Sequence, residues 1–221
     1  MALSAQEIYK HGVMDFYGRD FMVTPDVLIP RPETEMMVDA VLDLAGKPFV
    51  AGVKPSRRVL NEVPRILDVG TGSGCIAVTL GLELVGAKIT AVDISDTALR
   101  VARENARMMG AKVQFLKSDL MEDVCGDFDV VVANLPYVDR DWEWLDTKAL
   151  SIEPELALYA ENGGCALIFE LIRQASNRTK FLILEADPSQ HDRIIDFAKQ
   201  EGFSLREERG FALVFNSWKL D

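Results

Sequence analysis

Only three cysteines and two histidines occur among the 221 residues, and their scarcity closes several routes. Cys75, Cys125 and Cys165 are far apart and none belongs to a CxxC pair, so neither a zinc site nor a disulfide framework is signalled and no metal is expected. They read as buried small apolar residues. His11 and His191 read as ordinary surface or helix-start residues, not as catalysts. No long hydrophobic run is present. The longest stretch without a charge, Val69 to Leu82, has 14 residues broken by four glycines, short of the ~18 that a membrane-spanning helix requires. The amino terminus, MALSAQEIYKHG, lacks the cationic start and apolar block of a secretion signal, so the cytoplasm is the expected compartment. Basic residues are in deficit as well: 24 Lys and Arg stand against 35 Asp and Glu, for a net charge of −11. A surface of that sign repels polyanions at long range, so direct nucleic-acid binding is not expected. The basic residues Lys54, Arg57, Arg58 and Arg65 read as part of a solvated loop.

Nearly half the chain is apolar and 27% is charged, a mix that points to one soluble globular domain with a substantial core. Ser4 and Glu7 have the spacing of a capping box and predict a short amino-terminal helix. Residues 16 to 31, with Gly18 and Pro25 between short apolar pieces, predict a small hairpin. Pro32 suits a first helical turn, and Met36, Met37, Ala40, Val41 and Leu44 supply the apolar stripe of the helix that follows. A loop-like insert spans Lys47 to Pro64. Strands are then predicted at 65–69, 88–94, 113–116, 128–133, 181–185, 203–205 and 211–215, with helices at 74–84, 95–109, 165–176 and 189–201. This alternation calls for an α/β fold with a mainly parallel seven-stranded sheet covered by helices on both faces. Ligands in such a fold bind at the carboxyl ends of the strands.

Two motifs fall at those ends. ILDVGTGSG, residues 66 to 74, places Gly70, Gly72 and Gly74 between the first of these strands and its helix, where absent side chains let a ligand approach the backbone. A dinucleotide site would show GxGxxG, whereas the third glycine here comes one residue early. Asp93 follows at the end of the next strand, where a carboxylate can accept both hydroxyls of a ribose. Asp119, in KSDL, follows the strand after that. The second motif is Asn134-Leu135-Pro136-Tyr137, which ends an apolar strand. An amide or exocyclic amine nitrogen is a poor nucleophile because its lone pair is delocalised. The Asn134 side-chain oxygen and the Leu135 backbone carbonyl can each accept one of its hydrogens, which fixes the nitrogen and aims its lone pair. Pro136 confines Leu135 to an extended conformation, and Tyr137 can pack against the flat face of the acceptor.

The glycine turn with Asp68, Asp93 and Asp119 resembles the S-adenosylmethionine site of class I methyltransferases, which have a Rossmann-like fold. FYGRDFMV, LIPRPETE, ILDVGTGSG, AVDIS, NLPY, EPELAL and, more weakly, LEADPSQ occur in order along the chain and resemble the HemK/PrmC family of protein-glutamine methyltransferases. The resemblance implies that S-adenosylmethionine is the cofactor and that the acceptor is the glutamine of a Gly-Gly-Gln loop in a peptide chain release factor. It implies cofactor contacts from Asp68, Gly70, Thr71, Gly72, Ser73, Gly74, Asp93, Asp119, Leu120 and Asn134. Asn134, Leu135, Pro136 and Tyr137 would hold the glutamine, with Asn134, Pro136 and Tyr137 counted as catalytic. Residues 1–31 would be a reduced substrate-binding region ahead of a methyltransferase domain at 32–221.

The chain departs from the family pattern in three ways. Leu135 stands where proline is usual, the glycine pair after EPELAL is displaced to Gly163-Gly164, and only about one helix of the family's amino-terminal domain is present. Trp142 and Trp144 are candidates for a lid or partner contact, with core packing of their loop as the alternative. Two rival readings remain: an amino methyltransferase acting on adenine or cytosine, which the acidic charge opposes, and an inactive cofactor-binding scaffold, which the retained Asn134 and Tyr137 oppose.

Overall fold

The computed structural model describes residues 3–47, 59–142 and 151–219. Most of the 47–64 insert, with Lys54, Arg57 and Arg58, lies outside the described residues, as does Trp144. A two-stranded hairpin, β1 (Val13–Phe16) and β2 (Arg19–Met22), stands apart from the main sheet. That sheet contains β3 (Arg65–Val69), β4 (Lys88–Asp93), β5 (Val113–Lys117), β6 (Phe128–Ala133), β7 (Thr179–Glu185), β8 (Phe203–Arg209) and β9 (Ala212–Ser217). Its spatial order is β5-β4-β3-β6-β7-β9-β8. β3 to β7 run parallel to one another, and β9 is antiparallel to both β7 and β8. This is the predicted α/β architecture with seven strands.

The strand sequences explain why both faces are covered. β6 is buried at every position, as expected for a strand sandwiched between helical layers. Its valines alternate: Val130 and Val132 join one core cluster, with residues of α2 (Glu35–Leu44) and α3 (Cys75–Glu83). Val131 joins the other, with residues of α5 (Ala166–Ala175) and α6 (His191–Gln200). Leu67 and Ile66 divide in the same way. α4 (Asp96–Met109) starts at Ser95, whose side chain accepts from the Ala98 amide, and stops at Gly110. Its Leu99, Ala102 and Ala106 are buried on one face.

α1 (Ala5–His11) begins with the predicted capping box: the Glu7 amide donates to Ser4 Oγ at 3.4 Å and the Ser4 amide to Glu7 Oε2 at 2.8 Å. The hairpin lies earlier than the 16–31 expectation. Its two strands pair across Tyr17-Gly18, both at positive φ (56° and 67°), so a two-residue turn suffices. Residues 23–31 then run on without strand pairing. Buried Asn105 ties this region to the sheet layers. Its Oδ1 accepts from the Met22 amide at 2.8 Å, and its Nδ2 donates to the carbonyls of Met22 at 3.0 Å and Ser73 at 2.8 Å. Glu35 Oε1 accepts from the Tyr17 amide at 2.7 Å, so the FYGRDFMV and LIPRPETE segments brace each other.

Two further expectations are corrected. Cys125 is exposed, whereas Cys75 and Cys165 are buried. β8 extends to Arg209, four residues beyond the predicted end at Leu205, because it is an edge strand whose Glu207 and Glu208 carry no apolar alternation to read.

Candidate active site

Strand register brings the two motifs together. Val69 pairs with Val92 on one side and Ala133 on the other, and Ala133 pairs with Leu184. The glycine turn after β3, Asp93 at the end of β4, Asn134 after β6 and Glu185 at the end of β7 therefore stand at one edge of the sheet. A cavity of about 360 Å³ opens there, within the ~300–1,000 Å³ usual for small-molecule sites. Residues 25–31 and Pro154, Leu156 and Ala157 also line it. An ion pair holds those two segments together: Arg31 donates to the buried Glu153 carboxylate, whose Oε2 also accepts from the Ile29 amide at 3.3 Å.

In the glycine turn, Gly70 has φ +72°, and a Cβ there would come 2.9 Å from Leu135 Cδ2. The turn and the asparagine motif thus share one close contact that only glycine permits. Asp68 is fully buried behind the turn. Its Oδ2 accepts from Thr71 Oγ1 at 2.6 Å and from the Ala77 amide at 3.2 Å, while Oδ1 has no hydrogen-bond partner among the described residues. Burial pushes this carboxyl up to about 7, against those two donors. Asp93 lines the cavity. Its Oδ2 accepts from the Gly72 amide at 2.9 Å and its Oδ1 from the Ser95 amide at 2.9 Å. The carboxylate thereby anchors the turn and keeps further lone pairs for a ligand. Burial raises its pKa, opposed by these backbone donors. Leu120, beside Asp119 in the lining, sits at φ +46°, a region that costs a side-chain-bearing residue about 1 kcal/mol.

Asn134 donates from Nδ2 to Thr34 Oγ1 at 3.0 Å. Its Oδ1 and the Leu135 carbonyl take no hydrogen bond from the described residues. Tyr137 is not among the residues lining the cavity, and its hydroxyl donates to Glu185 Oε1 at 3.2 Å. Its backbone carbonyl accepts from Gln190 Nε2 at 2.8 Å, which also reaches the Gly163 carbonyl at 2.7 Å. Val138 pairs with the 158–160 segment through the Leu158 carbonyl and the Ala160 amide. The loop after Asn134 is therefore held along its length.

Burial pushes Glu185 up to about 7, opposed by Thr34, Tyr137 and Asn134 and reinforced by Glu33. A carboxyl whose folded pKa exceeds its ordinary 4.5 stabilises the fold below pH 4.5 and loses that contribution as pH rises to about 7. The melting temperature of Glu185→Gln minus that of the wild type should therefore increase between those limits and level off above them. A difference that does not change with pH would show that the carboxyl pays no burial cost.

Every predicted cofactor and acceptor position lines this cavity except Asp68, Gly74 and Tyr137. A Cβ on Gly74 would meet Ala102 Cβ at 3.0 Å, so that glycine serves the packing of α3 on α4. Thr34, Glu185, Gln190 and the Arg31–Glu153 pair were not singled out individually. They lie in LIPRPETE, LEADPSQ and EPELAL, segments marked in the sequence without a chemical role.

The family described as Methyltransferase small domain matches residues 40–152. A release factor glutamine methyltransferase of Koribacter versatilis is 43% identical over 175 residues, covering 78% of this chain and 58% of that protein. One of Neisseria gonorrhoeae is 38% identical over 202 residues, covering 89% of this chain and 68% of that protein. The chain thus spans between about half and two thirds of the length of the relatives it matches. Among solved structures, the ribosomal protein L11 methylase of Lactobacillus delbrueckii subsp. bulgaricus superposes with a TM-score of 0.59 at 23% identity, covering 88% of this chain and 83% of that one. This last likeness is one of fold.

Proposed function

The chain belongs to the family of release factor glutamine methyltransferases, and we propose that it methylates the side-chain amide nitrogen of a glutamine in the Gly-Gly-Gln loop of a peptide chain release factor, with S-adenosylmethionine as donor. The observation that carries this reading is Asn134: its Oδ1 takes no donor among the described residues, and it lines the same cavity as the glycine turn of the neighbouring strand.

The cavity suits the donor. Asp93 offers a carboxylate for ribose hydroxyls, and Ile94 and Leu120 offer apolar flanks for a base. The turn from Gly70 to Ser73 brings backbone close to the ligand where side chains would block it. S-adenosylmethionine, when bound, supplies an electrophilic methyl group on a sulfonium. Asn134 Oδ1 and the Leu135 carbonyl accept the two hydrogens of the acceptor amide, hold its nitrogen in line and favour a lone pair aimed at the donor. Leu135 is itself held against Gly70. No strong base is needed, because the proton becomes acidic only once the nitrogen carries the methyl group. His191 is buried with its ring directed to the Ala186 carbonyl, and His11 ends α1 at the surface, in keeping with neither taking part.

The partner is a release factor, which places the protein's work in the cytoplasm. Among the described residues no helix is long and apolar enough to cross a membrane. Incubation with labelled S-adenosylmethionine and either a release factor or nucleic acid, followed by mass spectrometry, tests the assignment. Label is expected on the glutamine of the factor. Label on a base would transfer the site to exocyclic amines, and label on neither would make the chain a binding scaffold. Asp93→Ala should weaken S-adenosylmethionine binding roughly 10²-fold in calorimetry, on the order of the ~3 kcal/mol carried by two hydrogen bonds to a charged group. A change below about threefold, or well under 1 kcal/mol, would remove Asp93 from the ribose site.

A further inference from the structure

A carboxamide can present either of its ends to a cavity, and only one end of Asn134 serves an amide acceptor, because the two hydrogens of that nitrogen need an oxygen opposite them. The groups that make the choice lie behind Asn134. Glu185, one position past the Ala133–Leu184 pair, stands level with it on β7 and is 1% exposed. Glu185 Oε1 accepts from the Tyr137 hydroxyl, and Oε2 makes no hydrogen bond among the described residues. The equally buried Thr34 hydroxyl lies beside this carboxyl and accepts from Asn134 Nδ2 at 3.0 Å.

We propose that Thr34 and Glu185 are positioning residues that set the polarity of Asn134: they offer oxygens to the inner end of its side chain, so its NH2 group turns inward and its Oδ1 faces the acceptor amide. The inference rests on the glutamine reading of the site. With Glu185 ionised, the state favoured above about pH 7, reversing the carboxamide would set Oδ1 against a carboxylate in a low-dielectric interior and leave NH2 facing the NH2 of the acceptor, two repulsive arrangements at once. The Thr34 hydroxyl suits both neighbours, since it can accept from Asn134 while its own hydrogen is free to point at Glu185. Glu185 is not part of the cavity lining, so it acts through these two side chains and touches no substrate. Thr34 reaches the site because the turn Pro32–Thr34 follows directly on Arg31, which is paired to Glu153. This gives the LIPRPETE and LEADPSQ segments a shared chemical purpose.

Two readouts test the proposal. In the protein alone, hydrogen exchange at the Asn134 side-chain NH2, followed by nitrogen-edited NMR, should be slow in the wild type and in Thr34→Ser, and at least ~10-fold faster in the isosteric Thr34→Val. Glu185→Gln, which brings a competing NH2 group, should also accelerate it. In turnover of a release factor, Thr34→Val should lower kcat roughly 10- to 100-fold with KM and cofactor affinity within about threefold, and Thr34→Ser should restore kcat. Unchanged exchange and kcat in Thr34→Val and Glu185→Gln would overturn the proposal, as would a parallel loss of kcat and cofactor binding that Thr34→Ser does not rescue. Absence of glutamine turnover in the wild type would instead refute the functional reading, while the exchange measurement would still decide the orientation of Asn134.

Discussion

Asn134→Ala is expected to lower the turnover number for glutamine methylation roughly 10²–10³-fold, equivalent to about 3–4 kcal/mol of lost transition-state stabilisation. The acceptor nitrogen starts with its lone pair delocalised into the carbonyl, and the cost of localising it falls on the two oxygens that bind its hydrogens. Removing Oδ1 leaves only the Leu135 carbonyl, which cannot fix the nitrogen alone. Cofactor affinity should stay within a few-fold of wild type, because the glycine turn, Asp93 and Leu120 supply most of the expected contacts with that ligand. Steady-state kinetics and calorimetry on the same preparation separate the two quantities. A kcat within about threefold of wild type would show that Asn134 is not the acceptor group, and an equal loss of cofactor affinity would make it a binding residue instead.

Gly164→Ala is expected to be nearly as damaging by a different route. Gly164 has φ +76°, and a Cβ there would lie 1.9 Å from the Tyr137 carbonyl oxygen and 2.4 Å from Gln190 Nε2. Neither partner can yield cheaply: the carbonyl belongs to the loop that carries Asn134, and Gln190 spans the Tyr137 and Gly163 carbonyls. Backbone strain and a broken buried hydrogen bond together should cost about 2–4 kcal/mol of stability in denaturant unfolding. The displaced loop should also lower kcat by at least ~10-fold while cofactor binding suffers less, since the turn on β3 is untouched. Gly163→Ala is a control from the same loop, because its Cβ would meet first Arg193 Nη1, at 2.5 Å, the end of a flexible side chain. If Gly164→Ala unfolded like the wild type and retained full turnover, the loop would not be held as described.

The contrast between Asn134 and its supporting residues shows what could be read from the sequence. The fold was legible because each parallel strand is a short apolar run followed by a helix with its own start and stop, as in β4, Ser95, α4 and Gly110. The proposed acceptor site at Asn134 could be read from the sequence because the two oxygens assigned to it, on Asn134 and Leu135, are consecutive in the chain. Thr34 was not, since it meets Asn134 from 100 residues away and no spacing rule links such positions. Glu185 reads in sequence as the last residue of a strand, and only the β6–β7 register places its carboxyl behind Asn134. The displaced Gly163-Gly164 pair looked like a departure from pattern, but Gly164 fits against Tyr137 where no side chain could. Gly74 carries the opposite lesson: the GxGxG spacing suggested three glycines facing a ligand, and one of them packs a helix. Leu135 keeps its place by packing against Gly70, a contact that substitutes burial for the stiffness of a proline ring.

The most direct measurement is a crystal structure of the protein with S-adenosylhomocysteine and a peptide containing Gly-Gly-Gln. The glutamine side-chain nitrogen should lie about 2.7–3.2 Å from both Asn134 Oδ1 and the Leu135 carbonyl oxygen, facing the sulfur across the cavity. A glutamine bound elsewhere, or Asn134 presenting its Nδ2 to the peptide, would contradict the account.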